Sequence, residues 1–238
     1  MAKLSVNINK VATLRNARGG NVPDVLQFAV DLERFGAEGV TVHPRPDERH
    51  IRRTDVYAIA GAIHVEFNIE GYPSEDFIRL IQDVRPTQVT LVPDSPEQLT
   101  SNHGWNTVAN AETLKPIIAR LHEAGCRVSV FVDPQPEMVA GAKAVGADRV
   151  ELYTGPYAEL FPSDSKAALE MYRPAAEKAR ELGLGLNAGH DLSLTNLHAL
   201  IEAFPWIDEV SIGHQLIADA LYLGIKETIR RYKAELCL

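Results

Sequence analysis

Two rhythms of apolar residues alternate along this chain. Short runs with apolar residues at every second position read as strands: LSVNI (4–8), GVTVH (39–43), HVEFNIE (64–70), QVTLV (88–92), RVSVFVD (127–133), RVELYTG (149–155), GLGLNAGH (183–190) and EVSIGH (209–214). The stretches between them carry the wider spacing of helices. PDVLQFAVDLERFG is opened by Pro23 and Asp24 and closed by Gly36, and SEDFIRLIQDV sets Phe77, Ile81 and Val84 along one side. LKPIIARLHEAG, EMVAGAKAVG, a run from Ser165 to Leu182 with a kink expected at Pro174, and LTNLHALIEAF come next; a last helical segment after Gly213 divides near Gly224.

Strand and helix alternating eight times imply parallel strands joined by crossover helices, and eight such units within 238 residues match a single (β/α)8 TIM barrel domain over 1–238. The rival is an open doubly wound sheet, whose strands are covered on both faces and read as continuous apolar runs. Here one parity is polar instead. In HVEFNIE, Val65, Phe67 and Ile69 share one face and His64, Glu66, Asn68 and Glu70 the other; Ser5, Asn7, Asn9, Thr41, His43, Ser129, Asp133, Glu151 and Tyr153 extend the pattern to other strands. One parity is therefore expected under the helices and the other inside a polar barrel open at its carboxyl-terminal end. An edge strand with a solvated face would explain HVEFNIE alone, but not the agreement between strands. No glycine-rich nucleotide fingerprint follows the first strand.

Composition narrows the function classes. The longest apolar run is far short of the roughly 18 residues that span a bilayer, and MAKLSVNINK lacks the apolar core of a signal peptide, so a cytoplasmic protein without a membrane partner is expected. Cys126 and Cys237 have no CxxC spacing and read as reduced thiols. A net charge of -8 argues against nucleic acid as a partner, and makes any basic cluster conspicuous.

In a barrel of this type the chemistry lies where strands end, which makes Asn7, Asn9, Lys10, His43, Arg45, Glu70, Asp133, Tyr153, His190 and His214 candidates by position. His43, Glu70 and His190 offer acid-base steps near neutral pH. NKVATLRNARGG (9–20) and HPRPDERHIRR (43–53) place Lys10, Arg15, Arg18, Arg45 and His50 on one rim, where arginine forks and phosphate fit each other; Arg49, Arg52 and Arg53 read as solvated loop residues. Gly213 and His214 precede a helix whose free N–H groups make a second anion site, with NAGHD (187–191) as its neighbour. Residues 93–110 form a long connection with the length of a lid, offering Thr100 and His103. No lysine occupies a strand interior, which leaves Lys10 as the sole candidate for a Schiff base, and no HxH pair occurs. A metal site assembled from His43, Glu70, Asp133, Glu151, His190 and His214 has no short ligand spacing behind it. A metal-dependent hydrolase or isomerase of sugar phosphates, and a noncatalytic barrel that binds phosphorylated metabolites, stay open on the residues alone.

VNINKVATLRNARGG, TVHPRPDERHI, FNIE, LVPD with the following Thr100, ELYTGPYA, NAGHDL and SIGHQLI, in this order from residue 6 to residue 217, closely resemble the pyridoxine 5'-phosphate synthase family. The resemblance implies a (β/α)8 barrel with additional helices, a homo-octamer, and no metal or organic cofactor. It implies condensation of 3-amino-2-oxopropyl phosphate with 1-deoxy-D-xylulose 5-phosphate to give pyridoxine 5'-phosphate, inorganic phosphate and water. By matching motif, His43 and Glu70 would accept protons and His190 donate one. Asn7, Arg18, Gly213 and His214, with Asp191 beside them, would contact the amino ketone phosphate; Asn9, Lys10, Arg45, His50 and Thr100 would contact the sugar phosphate. Asn9 and Lys10 stand where many members carry Asp-His, and Asp191 stands where they carry glycine.

Overall fold

The computed structural model describes residues 1–94 and 102–237. Among these, eight parallel strands close into a barrel in sequence order: β1 (Lys3–Asn7), β2 (Gly39–Val42), β3 (Glu66–Gly71), β4 (Gln88–Leu91), β5 (Arg127–Val132), β6 (Arg149–Tyr153), β7 (Gly185–Gly189) and β8 (Ile207–Ile212). β8 pairs with β1 from Lys3 against Glu209 to Val6 against Ile212, which completes the ring. The helices are α1 (Asn9–Asn16), α2 (Val25–Arg34), α3 (Arg53–Ala60), α4 (Glu75–Val84), α5 (Ala111–Glu123), α6 (Pro136–Ala144), α7 (Gly155–Leu160), α8 (Ser165–Glu181), α9 (Leu197–Ala203), α10 (His214–Leu223) and α11 (Ile225–Glu235).

Local chemistry starts α2 and α4 where the sequence predicts. The Asp24 side chain accepts from the Gln27 N–H and the Ser74 side chain from the Phe77 N–H, each satisfying a donor the helix cannot. Gly36 holds a φ of 97° just past α2, a conformation open to glycine without cost. Gly224 separates α10 from α11. Three helices escape the pattern. α1 has only Val11, Ala12 and Leu14 as apolar residues, α7 is six residues long, and α3 is eight; none is long enough for a periodic stripe to stand out.

The parity reading of β3 holds from Glu66 onward. Phe67 and Ile69 are buried in the layer beneath the helices, while Asn68 and Glu70 point into the barrel. His64 precedes the strand and is exposed near Glu33, so it does not belong to the inner face. Inside, polar side chains satisfy one another in rungs. Ser5 Oγ and Thr41 Oγ1 lie 2.7 Å apart, Asn68 donates to Thr41 at 3.3 Å, and Thr90 donates to Asn68 at 3.1 Å. One level below, Gln88 donates to Glu209 at 3.2 Å, and Arg127 donates to Gln88 at 2.9 Å and to Glu66 at 2.5 Å. Lys3 opens β1 one residue earlier than predicted and pairs with Glu66. The amino-terminal end is thus closed by interlocked charges, as buried polar groups require partners. Among the described residues no helix is long and apolar enough to cross a membrane.

Candidate active site

A cavity of about 590 Å³ opens at the carboxyl-terminal end of the barrel. It is lined by His43, Glu70 and His190, and also by Asn7, Asn9, Lys10, Arg45, His50, Asp191, Gly213 and His214. The strand ends therefore bring together all the site residues that the family resemblance implies except Arg18 and Thr100, whereas Asp133 and Tyr153, candidates by position, do not line the cavity. Arg18 sits exposed beyond the end of α1 and does not line the cavity. Thr100 lies outside the described residues, as do the other residues of 95–101. Gly104, Trp105 and Thr107 anchor the described remainder of the connection, and its other residues are largely exposed. Gly104 N–H donates to Asp133 at 3.0 Å, Trp105 N–H to the Phe131 carbonyl at 2.8 Å, and Thr107 Oγ1 to the Met138 carbonyl at 2.7 Å. His103 is exposed and bonded to Asn102, away from the cavity lining.

At the centre, His43 Nδ1 and Glu70 Oε2 are 3.8 Å apart, and Asn7 Nδ2 donates to that same carboxyl oxygen at 3.3 Å. Burial holds the His43 imidazole well below its usual value, with the Arg45, His50 and Arg49 charges acting the same way. Burial also pushes the Glu70 carboxyl up to about 8; the Asp94 charge reinforces it, Arg45 opposes it and Glu209 adds to it. The usual order of the two groups is inverted: near neutral pH the proton rests on the glutamate and the histidine is a neutral base. Asn9 supports this pair through the backbone. Its Oδ1 accepts the His43 backbone N–H at 2.9 Å, and its own N–H donates to Asn7 Oδ1 at 3.1 Å.

The basic rim is more selective than the sequence suggests. α1 begins directly at Asn9, so helical geometry puts Lys10 at the cavity and turns Arg15 into the protein, where it is buried against Asp55 at 2.6 Å and the His50 carbonyl at 3.0 Å. Arg15 is thus a brace between α1 and the loop after β2. Arg45 is buried and donates to Asp94 at 2.5 Å. His50 accepts the Ile51 N–H on Nδ1 at 2.9 Å, which leaves Nε2–H as its donor. Burial and the Arg45 and Arg49 charges bring His50 down to about 4, so it meets an anion as a neutral donor. Arg49, expected in solvent, lines the cavity, whereas Arg52 and Arg53 are engaged by Asn16 and Asp76.

On the β7–β8 side, Gly213 packs against Asn7 so closely that a Cβ would sit 3.1 Å from the Asn7 Cβ. It opens α10, whose first N–H groups and positive dipole end face the cavity. His190 carries a φ of 89° and Asp191 a φ of 57°, and His190 Nδ1 lies 2.8 Å from Asp191 Oδ2. Tyr153 does not line the cavity but meets the His190 ring edge to face at 5.2 Å.

Glu151, offered by the sequence only as an inner-face residue and as one member of a possible metal site, belongs to the cavity. It projects from β6 into the cavity floor beside Phe131, and Gly189 is the neighbour that leaves it room, since any Cβ there would overlap Glu151 Oε1. Burial raises its carboxyl well above the ordinary range, and the Glu70 and Glu209 charges add to this. Its inward parity was legible; only the shape of the cavity shows that it reaches the site. Among the described residues no group of three His, Cys, Asp or Glu side chains is arranged to hold a metal ion.

The profile of the family described as "Pyridoxal phosphate biosynthesis protein PdxJ" matches residues 4–237. A pyridoxine 5'-phosphate synthase of Bacteroides thetaiotaomicron is 61% identical over 233 residues, covering 98% of both chains. One of Porphyromonas gingivalis is 58% identical over 238 residues, covering 100% of both. Among solved structures, a tryptophan synthase from M. tuberculosis aligns over 100% of this chain and 93% of its own with a TM-score of 0.67 at 16% identity, a likeness of fold alone. Spanning nearly the whole length of both the family and its relatives, the chain belongs to the PdxJ family of pyridoxal phosphate biosynthesis proteins.

Proposed function

We propose that this chain is a pyridoxine 5'-phosphate synthase that condenses 3-amino-2-oxopropyl phosphate with 1-deoxy-D-xylulose 5-phosphate, releasing inorganic phosphate and water. The observation that carries the reading is one cavity that unites the inverted His43–Glu70 pair and His190 with a dense set of anion donors. The donors fall into two groups. Asn9, Lys10, Arg45 and His50 follow β1 and β2 and suit the sugar phosphate; Asn7, Gly213 and His214, with Asp191 beside them, suit the amino ketone phosphate. Arg18 and Thr100 belong to the same proposal.

In this reading the substrate amine attacks the ketone of the sugar phosphate and forms an imine. Holding the two reactants side by side is worth about 7–11 kcal/mol of the barrier when they are well oriented. His43, neutral in its buried setting, takes a proton from carbon or oxygen. Glu70 begins protonated and becomes the second acceptor when a cationic imine beside it favours the carboxylate. His190 protonates the departing oxygens, one phosphate leaves, and ring closure completes the product. The residues invoked need no metal or organic cofactor. The proposal includes a cytoplasmic homo-octamer, to be read by light scattering.

Expression in a bacterium that lacks its own pyridoxine 5'-phosphate synthase tests the reading. Growth without added pyridoxine, lost in the Glu70→Gln variant, is the expected outcome. Failure of the well-expressed wild type to restore growth would overturn it.

A further inference from the structure

The synthase reading makes His190 a proton donor, and the role of its neighbour in the chain rests on that reading. We propose that Asp191 is a positioning residue, whose carboxylate accepts the His190 Nδ1–H and so turns Nε2 of the ring toward the reacting atoms.

β7 ends at Gly189, and the next two residues both adopt positive φ, 89° at His190 and 57° at Asp191. Glycine enters this region without penalty, whereas side chains rarely do. The surrounding fold enforces the conformation: Thr154 Oγ1 donates to the Gly189 and His190 carbonyls, each at 2.6 Å, and Asn196 Nδ2 donates to the Asp191 carbonyl at 3.3 Å. Such strain calls for a local reason. Consecutive residues of a strand point to opposite faces, but this double turn brings both side chains together, with His190 Nδ1 2.8 Å from Asp191 Oδ2. Tyr153 confines the ring from β6. Both residues line the cavity, so the ordered imidazole is presented to the site and not to bulk solvent alone.

The arrangement also accounts for a carboxylate where an anionic substrate is expected. The His190 hydrogen bond holds Asp191 below the usual carboxylate range, and His214 and Lys10 face it from α10 and α1. Its charge is engaged by cations and by the ring. In the transfer step, the imidazolium gives its Nε2 proton to the departing oxygen, which takes the bonding electron pair. The ring is left as the neutral Nδ1–H tautomer, the form that Asp191 stabilises by accepting that proton's hydrogen bond.

The test uses the full chain with nitrogen-15 labelled histidine, in wild type and in Asp191→Gly, Asp191→Glu and His190→Asn. The neutral His190 ring of the wild type is expected as the Nδ1–H tautomer, and that of Asp191→Gly as the Nε2–H form that free histidine prefers. Because glycine relieves the positive φ, Asp191→Gly should melt no lower than wild type. Its kcat should nonetheless fall roughly 10- to 100-fold, with KM for both substrates within about threefold and partial recovery in Asp191→Glu. An Nε2–H ring in the wild type, or full kcat in Asp191→Gly, would overturn the proposal. Full kcat in His190→Asn would instead remove the donor role itself. The two failures are distinguishable, because the tautomer is read without substrate.

Discussion

Replacing Glu70 by glutamine should separate activity from stability in opposite directions. In the fold Glu70 is largely buried, accepts from Asn7 at 3.3 Å and titrates at about 8, against an ordinary value of 4.5. A carboxyl whose folded value is raised favours the fold fully only below its unfolded value. As pH rises from 4.5 through 8, the unfolded chain releases the proton while the native chain resists, and stability falls. The gap corresponds to an upper bound of about 5 kcal/mol at 1.36 kcal/mol per pH unit. Glutamine keeps the shape of the protonated acid and cannot ionise. Glu70→Gln should therefore resemble wild type in stability at about pH 5 and exceed it increasingly toward about pH 8. Turnover should fall roughly 10²- to 10⁴-fold, the range a positioned acid-base group contributes, which is about 3–5 kcal/mol of barrier. Denaturant unfolding at these two pH values measures the first effect, and product absorbance with released phosphate measures the second. A stability difference that stays flat with pH would refute the buried, protonated Glu70, and unchanged turnover in folded protein would refute its catalytic role.

Other perturbations probe the supports of the pair. Gly213→Ala places a Cβ 3.1 Å from the Asn7 Cβ and 3.3 Å from its Cγ; moving Asn7 off Glu70 should lower kcat/KM about tenfold in steady-state assays while the circular dichroism spectrum is retained. Asp94→Asn neutralises a carboxylate paired with the buried Arg45; chemical denaturation should show a loss of about 3–5 kcal/mol, and the Glu70 titration should move to lower pH. His50 titrates at about 4 in the fold against 6.5 ordinarily, so wild type should lose up to about 3 kcal/mol as pH falls from 6.5 through 4. The acid slope of His50→Asn should be shallower by that amount in thermal melts across this range.

The barrel was legible because its two periodicities are long and repeat. Asn68 and Glu70 could be assigned to one polar face from β3 alone, since a strand alternates its side chains, and the same parity in the other strands turned that face inward. The start of that face was not: His64 continues the alternation but precedes Glu66, where pairing to β2 begins. The strand-end candidates converge because the fold brings every strand end to one rim. Residues of the connecting segments were harder. Arg15 and Arg18 resemble Lys10 in sequence, but the immediate start of α1 at Asn9 buries the first against Asp55 and carries the second past the helix end. Arg49 reaches the cavity through a loop path that no periodicity encodes. The inversion of His43 and Glu70 depends on burial and on charges from the loop after β2, the segment after β4 and β8, so no local stretch contains it.

The decisive experiment is to mix the purified chain with both phosphorylated substrates in the presence of a chelator, and to quantify pyridoxine 5'-phosphate and inorganic phosphate together. A metal-independent synthase yields equal amounts of the two products, formed only when both substrates are present and undiminished by the chelator. Folded protein that binds either substrate but yields no pyridoxine 5'-phosphate, or that releases phosphate from one substrate alone, would contradict the assignment.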